Sequence, residues 1–244
     1  MDNISGKKQE TSFCLSKLIV DDKFVKELNT KKIELVFNGN YVELFNYYYD
    51  IISKIIYVNK VYGITYYDGE IYEISKLITE DRFVEYNTSS WIEILTLFKK
   101  IMEYINKIDF YNQKHDIKIG IDSSIWNFTK DGMLFDLDPP KVLCPSIDTS
   151  FTRLGDKDHY DRTIYRGFDE IGLKVNALVT YLICERITTL NRPDDYKDIL
   201  VSTMTDSMNL SSKKKFLFDF DNLTDDNTFK KHPILLLKKK LYEE

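Results

Sequence analysis

An Asp-Gly turn set between two apolar runs, with acids on both flanks, constrains this chain more than any other feature. It lies in residues 119–141, Ile-Gly-Ile-Asp-Ser-Ser-Ile-Trp-Asn-Phe-Thr-Lys-Asp-Gly-Met-Leu-Phe-Asp-Leu-Asp-Pro-Pro-Lys. A short apolar run, Ile117 to Ile121, leads into a polar loop, Asp122 to Ser124. Ile125 to Thr129 then reads as a strand, Lys130-Asp131-Gly132 as a tight turn and Met133 to Leu137 as a returning strand, because Asp-Gly between alternating apolar runs signals a hairpin. Pro139-Pro140 stops the second strand, since proline cannot donate to a ladder. Such a hairpin carries Asp122 and Asn127 to the end where Asp136 and Asp138 also arrive. Carboxylates and an amide oxygen converging there suit a hard cation such as Mg²⁺, which takes oxygen ligands and shares them with substrate phosphates.

The remainder of the chain sorts by periodicity. Phe13 to Val20 and Lys32 to Phe37 read as strands. Tyr41 to Val58 has apolar residues at Val42, Phe45, Tyr49, Ile52 and Ile56, the spacing of an amphipathic helix. Val61 to Thr65 and Ile71 to Leu77 pair around a second Asp-Gly turn at Asp68-Gly69. Asn87-Thr88-Ser89-Ser90 opens a long helix, Trp91 to Ile108, with Ile94, Leu95, Phe98, Ile101, Met102 and Ile105 on one face. Beyond the central hairpin come a polar stretch, Ser146 to Thr163, a buried-type helix, Asp169 to Thr189, a helical segment from Arg192 to Met208, and one or two short helices in the tail. The expected class is α+β. A β-rich unit with one helix spans residues 1–78, and a mainly helical unit spans 79–244, with the acid-rich hairpin at 117–140.

Charge and cysteine usage narrow the function. With 34 Lys and Arg against 39 Asp and Glu, the net charge of −5 argues against nonspecific binding to nucleic acid. The three cysteines, Cys14, Cys144 and Cys184, are too scattered for a disulfide framework or a metal site. No apolar run reaches eighteen residues and no secretory leader is visible, so a cytoplasmic chain without a membrane span is expected. No Gly-x-Ser-x-Gly or His-Glu-x-x-His motif points to hydrolysis.

The order strands, helix, hairpin, long helix, acid-and-amide hairpin, helices resembles the protein-kinase-like fold, and within it the aminoglycoside phosphotransferase and choline kinase branch. Asp122-Ser-Ser-Ile-Trp-Asn127 resembles that family's catalytic loop, in which an Asp precedes an Asn by five positions. Asp136-Leu137-Asp138 resembles its metal-binding acid on the next strand. The resemblance implies a two-lobed fold with ATP and Mg²⁺ as cofactors. Asp122 is then the base toward an acceptor hydroxyl, and Asn127, Asp136 and Asp138 are metal ligands. It also implies that Lys76, Leu77 and Ile78 form the hinge beside the adenine. Lys32, with Glu43 as its helix partner, is the lysine expected at the phosphates, Lys17 and Lys31 being the alternatives.

Phosphoryl transfer needs an in-line hydroxyl, a group to take its proton and cations on the phosphate oxygens, which that residue set supplies. The implied activity is an ATP-dependent phosphotransferase acting on a hydroxyl of a small molecule such as a sugar, aminoglycoside, nucleoside or amino alcohol. Two departures keep a second function open, a catalytically impaired binding or regulatory module. Gly120-Ile121 stand where the family has His or Arg before the Asp, and only Gly6 and Gly39 occur in the first forty residues, without a Gly-rich loop. A small protein kinase fits less well, because Pro139-Pro140 follow the metal-binding acid at once.

Overall fold

In the computed structural model, residues 14–31, 33, 40–85, 88–137, 139–143, 168–184, 190–223 and 233–242 are described. The chain is a mixed α+β protein built from a small antiparallel sheet and a set of helices. Strands β1 (Cys14–Val20) and β2 (Lys23–Leu28) meet at Asp21-Asp22, where Asp21 adopts φ 55°. Aspartate tolerates that left-handed backbone better than most residues. Helix α1 (Tyr41–Ile55) follows, then β3 (Val61–Tyr67) and β4 (Glu70–Lys76). Asp68 and Gly69 link the last two with φ 49° and 81°, positive at both turn positions as a type I′ hairpin requires. The sheet order is β1-β2-β4-β3, antiparallel throughout. The register sets Lys26 on β2 directly opposite Glu73 on β4.

Helix α1 buries Tyr41, Leu44, Phe45, Tyr48 and Ile52, a stripe at three- and four-residue spacing. Helix α2 (Trp91–Asn112) opens with a capping box. Ser90 Oγ accepts the Glu93 amide at 3.3 Å and Glu93 Oε2 accepts the Ser90 amide at 2.7 Å, satisfying two of the donors that a helix start leaves over. Its inward face carries Ile94, Phe98, Ile101, Ile105 and Ile108. Two short strands, β5 (Lys118–Ile119) and β6 (Val142–Leu143), pair antiparallel and enclose the acid-rich stretch between them. Helix α3 (Glu170–Cys184) is apolar on nearly all sides, the mark of a buried helix, and packs against α2, α4 (Tyr196–Asp206), α5 (Leu210–Asn222) and α6 (Pro233–Tyr242). None of the described helices is long and apolar enough to cross a membrane.

Two expectations need adjustment, for α2 and the central hairpin, and two more, the strand before α1 and the end of α3, fall largely or partly outside the described residues. The strand before α1 is β2, Lys23–Leu28, whereas most of the expected strand from Lys32 to Phe37 lies outside the described residues. Helix α2 runs one turn further than expected, to Asn112. Helix α3 is described from Glu170 to Cys184. The central hairpin keeps its turn but not its strands: Ile125–Asn127 is a 3₁₀ turn, and beyond it only isolated bridges form, Phe128 with Leu134, Val58 with Leu134 and Phe83 with Thr129. The backbone groups of this stretch find partners in distant segments. Leu134 N donates to Tyr57 O at 3.0 Å, Asn59 N to Leu134 O at 2.8 Å and Lys130 N to Arg82 O at 2.9 Å. A regular two-stranded ladder would leave those donors and acceptors unmatched.

Candidate functional site

A cavity of about 720 Å³ opens between the sheet and the acid-rich stretch. Lys17 and Ile19 of β1, Phe24 and Lys26 of β2, and Ser75 and Lys76 of β4 form one wall, and Phe135, Asp136 and Pro139 form the other. Cys14, Asn59, Leu77, Ile78, Glu80 and Phe83 complete it. Phe83 and Phe135 meet edge to face at 5.2 Å and, with Ile19, Phe24, Leu77, Ile78 and Pro139, make much of the lining apolar beside the lysines and acids. Its volume lies within the range of small-molecule pockets.

Within this cavity Lys26 bridges two acids. Its ammonium lies 3.6 Å from Glu73 Oε2 and 3.1 Å from Asp136 Oδ1. Lys26 and Glu73 are buried, and the Asp136 side chain is 44% exposed, so the charge pair opens toward the cavity on the Asp136 side only. Ion pairs drawn out of water persist when neighbouring charges and hydrogen bonds compensate the desolvation. The segment Tyr57 to Asn59 sets the height of Asp136, because its bonds to Leu134 tie the acid-rich stretch to the sheet. Asn59 also donates from Nδ2 to Lys76 O at 2.9 Å, fixing the end of β4.

Asp122 lies on the loop after β5, held from several sides. Tyr48 of α1 donates to Gly120 O at 2.8 Å, and Asn112 of α2 clamps Ile119 by accepting its amide at 2.9 Å and donating to its carbonyl at 2.8 Å. From below, α3 contributes a backbone carbonyl and two polar side chains. Ser123 Oγ donates to Leu173 O at 2.6 Å, Ile125 N donates to Thr180 Oγ1 at 3.2 Å, and Asn176 Nδ2 reaches Ser123 Oγ at 3.2 Å, Ser124 Oγ at 3.4 Å and Asp122 Oδ1 at 3.5 Å. Burial pushes the Asp122 carboxyl up. The Lys141 charge, the Ser124 hydroxyl and amide and the Asn127 amide more than offset this and hold it below the ordinary aspartate value.

Asn127 is buried beside this loop, donating from Nδ2 to Asp122 O at 3.4 Å, while its own carbonyl accepts Phe135 N at 3.0 Å. A continuous chain of contacts therefore runs from Asp122 through Asn127 and Phe135 to Asp136 and Lys26. Among the described residues no group of three or more His, Cys, Asp or Glu side chains is arranged to hold a metal. Of the expected ligands, Asp136 lines the cavity with its carboxylate, and Asn127 lies behind it with its side-chain amide on Asp122 O.

No family model matches the chain, and no curated protein does either.

Asn127 contacts the Asp122 backbone and its own backbone carbonyl takes the amide of Phe135, the residue before Asp136, while Lys76, Leu77 and Ile78 line the cavity. Asp122 and Asn127 do not line it themselves. Asp138 and Lys32 lie outside the described residues, and Glu43 is exposed on the first turn of α1. Among the described residues the lysine brought to Asp136 is Lys26, and it also faces the Glu73 carboxylate across the sheet. A weak sequence signal existed for this. Asp21-Asp22 separates Leu18-Ile19-Val20 from Phe24-Val25, a turn between two strand-like runs that would put Lys26 within the second. Asp131 serves the turn: it accepts Thr129 Oγ1 at 2.6 Å and pairs with Arg82 at 2.6 Å.

Proposed function

We propose that the cavity binds ATP and that the chain is a phosphotransferase passing the γ-phosphoryl group to a hydroxyl of a small molecule. The observation that carries this is Lys26, a buried lysine on a strand of the cavity wall that faces Asp136 at 3.1 Å. An ammonium and a carboxylate paired at the wall of an open space of this size suit a polyphosphate, the ammonium meeting oxygens directly and the carboxylate meeting them through a cation. The sheet order β1-β2-β4-β3, with α1 between β2 and β3 and the acid-rich loop after α2, supports the two-lobed, protein-kinase-like arrangement that the motif resembles.

The chain's own residues divide the work. Lys26 neutralises phosphate oxygens and is oriented by Glu73. The Leu77 and Ile78 segment flanks the base. Asp122, ionised and fixed by Ser124 and Asn176, orients the acceptor hydroxyl and takes its proton. Asp136 and Asn127 would hold Mg²⁺, whose chemistry is to neutralise the phosphate oxygens. ATP consumption in the presence of Mg²⁺ and a panel of sugars, aminoglycosides, nucleosides and amino alcohols tests the assignment, with Asp122→Ala as control. Turnover untouched by Asp122→Ala would sink it.

A second function, a nucleotide-binding module without turnover, is favoured by the absence of a Gly-rich loop from the first forty residues, where only Gly6 and Gly39 occur and the β1–β2 turn is Asp21-Asp22. A Mg²⁺-dependent thermal shift with ATP, combined with no product for any acceptor, would select it.

A further inference from the structure

We propose that Asn59 reads the base in the cavity, its side-chain oxygen accepting a hydrogen bond from the 6-amino group and so selecting adenine over a 6-oxopurine. The proposal rests on the phosphotransferase function above and assigns base selection within it to a side chain.

Asn59 is only 3% exposed, yet it lines the cavity. Its backbone is held at both ends: Asn59 N donates to Leu134 O at 2.8 Å, and Asn59 O accepts the Tyr49 hydroxyl at 3.4 Å. The side chain donates from Nδ2 to Lys76 O at 2.9 Å, and Oδ1 accepts from no group among the described residues. That bond also fixes which way the amide faces. Turned over, it would set Oδ1 against the Lys76 carbonyl, acceptor against acceptor. An amide oxygen drawn out of water without a donor is costly, and a ligand that brings a donor to it removes that cost.

The backbone beside Asn59 is already engaged. Lys76 N donates to Lys60 O at 2.8 Å, Lys76 O takes the Asn59 side chain, and Leu77 N donates to Asp22 O at 2.9 Å. Those three groups are closed to a base edge, and Asn59 Oδ1 offers an acceptor next to them.

The position along β4 suits a base. Glu73 lies opposite Lys26, Ser75 lies opposite Phe24, and Asn59 bonds the next residue, Lys76. Three residues of strand, about 10 Å, thus separate the lysine assigned to the phosphates from the residue that Asn59 holds, which leaves room for a sugar between. Phe24 supplies an aromatic wall at the same end of the cavity. Adenine carries an amino donor at position 6 where guanine carries an oxygen acceptor. The amino group pairs with Oδ1, whereas a 6-oxygen faces it as a second acceptor and leaves it unpaired.

Calorimetric titration of the full chain with Mg²⁺ and without acceptor compares three nucleotides. These are ATP, purine riboside triphosphate with hydrogen at position 6, and inosine triphosphate with oxygen there. The wild type should bind ATP about fivefold to tenfold more tightly than the 6-hydrogen analogue, the scale of one neutral hydrogen bond, and the 6-oxo analogue no better than that. Asn59→Leu should bring the three within roughly twofold of one another, since the differential contact is gone. Should Asn59→Leu fold poorly, Asn59→Ser, whose shorter side chain withdraws the acceptor from the base, carries the same expectation. If the wild type binds ATP and the 6-hydrogen analogue equally, or if the Asn59 variants weaken all three and keep their ratios, Asn59 serves only to hold the end of β4. Its assignment is then wrong and the nucleotide site stands. If the wild type binds none of the three, the phosphotransferase function is wrong and the Asn59 role falls with it.

Discussion

Lys26 and Asp136 are 110 positions apart in the chain and meet at 3.1 Å across the cavity. Neither is placed by its own strand alone. The register of β2 against β4 aims the lysine past Glu73, and the bonds from Tyr57 and Asn59 to Leu134 hold the acid at the matching height. Replacing Lys26 should therefore have two separable effects. Lys26→Met leaves the buried Glu73 carboxylate without that ammonium, at about 3 kcal/mol, the lower end for a broken buried pair. Adding Glu73→Gln should recover most of the stability in a denaturant titration. Nucleotide binding, read by calorimetry, should remain lost in both variants. Recovery of binding along with stability would mean that Lys26 is structural only.

Asn176 lies on α3 and touches three consecutive residues of the Asp122 loop, yet it is not part of the cavity wall. Its role is to hold the loop against the helix, so its removal should act on the reacting geometry and not on nucleotide affinity. Asn176→Ala is expected to lower kcat by roughly tenfold to a hundredfold, the scale on which a misplacement near the chemistry is felt. KM for ATP should stay within about twofold. Steady-state kinetics against both substrates read the split.

Much of this architecture is legible in the sequence where burial follows a simple period. Helices α1 and α2 and the β3–β4 hairpin are marked by apolar spacing and by Asp68-Gly69. Strand β2 is not, because its inward residue at the decisive position is a lysine. A buried charge looks polar in any pattern count, and only its partners, from β4 and from a loop far along the chain, explain why it faces inward. The central hairpin misleads for a related reason. Phe128 and Leu134 alternate like strand residues, but the backbone around them bonds to residues 57–59 and 82, contacts that no local pattern encodes. Asp122, Asn127 and Asp136 are visible as an ordered motif, whereas Glu73, Asn176 and Asn59 become meaningful only through tertiary contacts.

A second buried ion pair anchors the helical part. Lys174 and Glu170 on α3 meet at 2.6 Å, and the lysine also donates to Ser207 O at 2.7 Å. Glu170 accepts the Asn209 amide and side chain in turn, so the pair ties α3 to the junction of α4 and α5. Burial pulls the Lys174 ammonium below its usual range, and Glu170 only partly offsets this. Lys174→Met strands a buried carboxylate and should cost about 3–5 kcal/mol in chemical denaturation. Lys174→Met combined with Glu170→Leu should cost clearly less than the sum of the two single changes, which a double-mutant cycle measures directly.

The turn at Lys130 to Gly132 carries the pH dependence that is simplest to isolate. Burial raises the Asp131 carboxyl, but the Thr129 hydroxyl and the Arg82 guanidinium outweigh it and hold it below the ordinary aspartate value. A carboxyl depressed in the folded state stabilises above its unfolded value, and that stability is lost as pH falls through the folded value. Asp131→Asn should therefore lower the melting temperature at neutral pH. The deficit is small, about 1 kcal/mol or less, because the Asp131 side chain is 52% exposed and the pair is screened by solvent. On acidification from about pH 5 to below pH 4, the wild type should lose this increment while Asp131→Asn does not, so the two melting curves converge. A difference that stays constant across that range would show that Asp131 acts through turn geometry, and the charge on Arg82 would then be irrelevant to it.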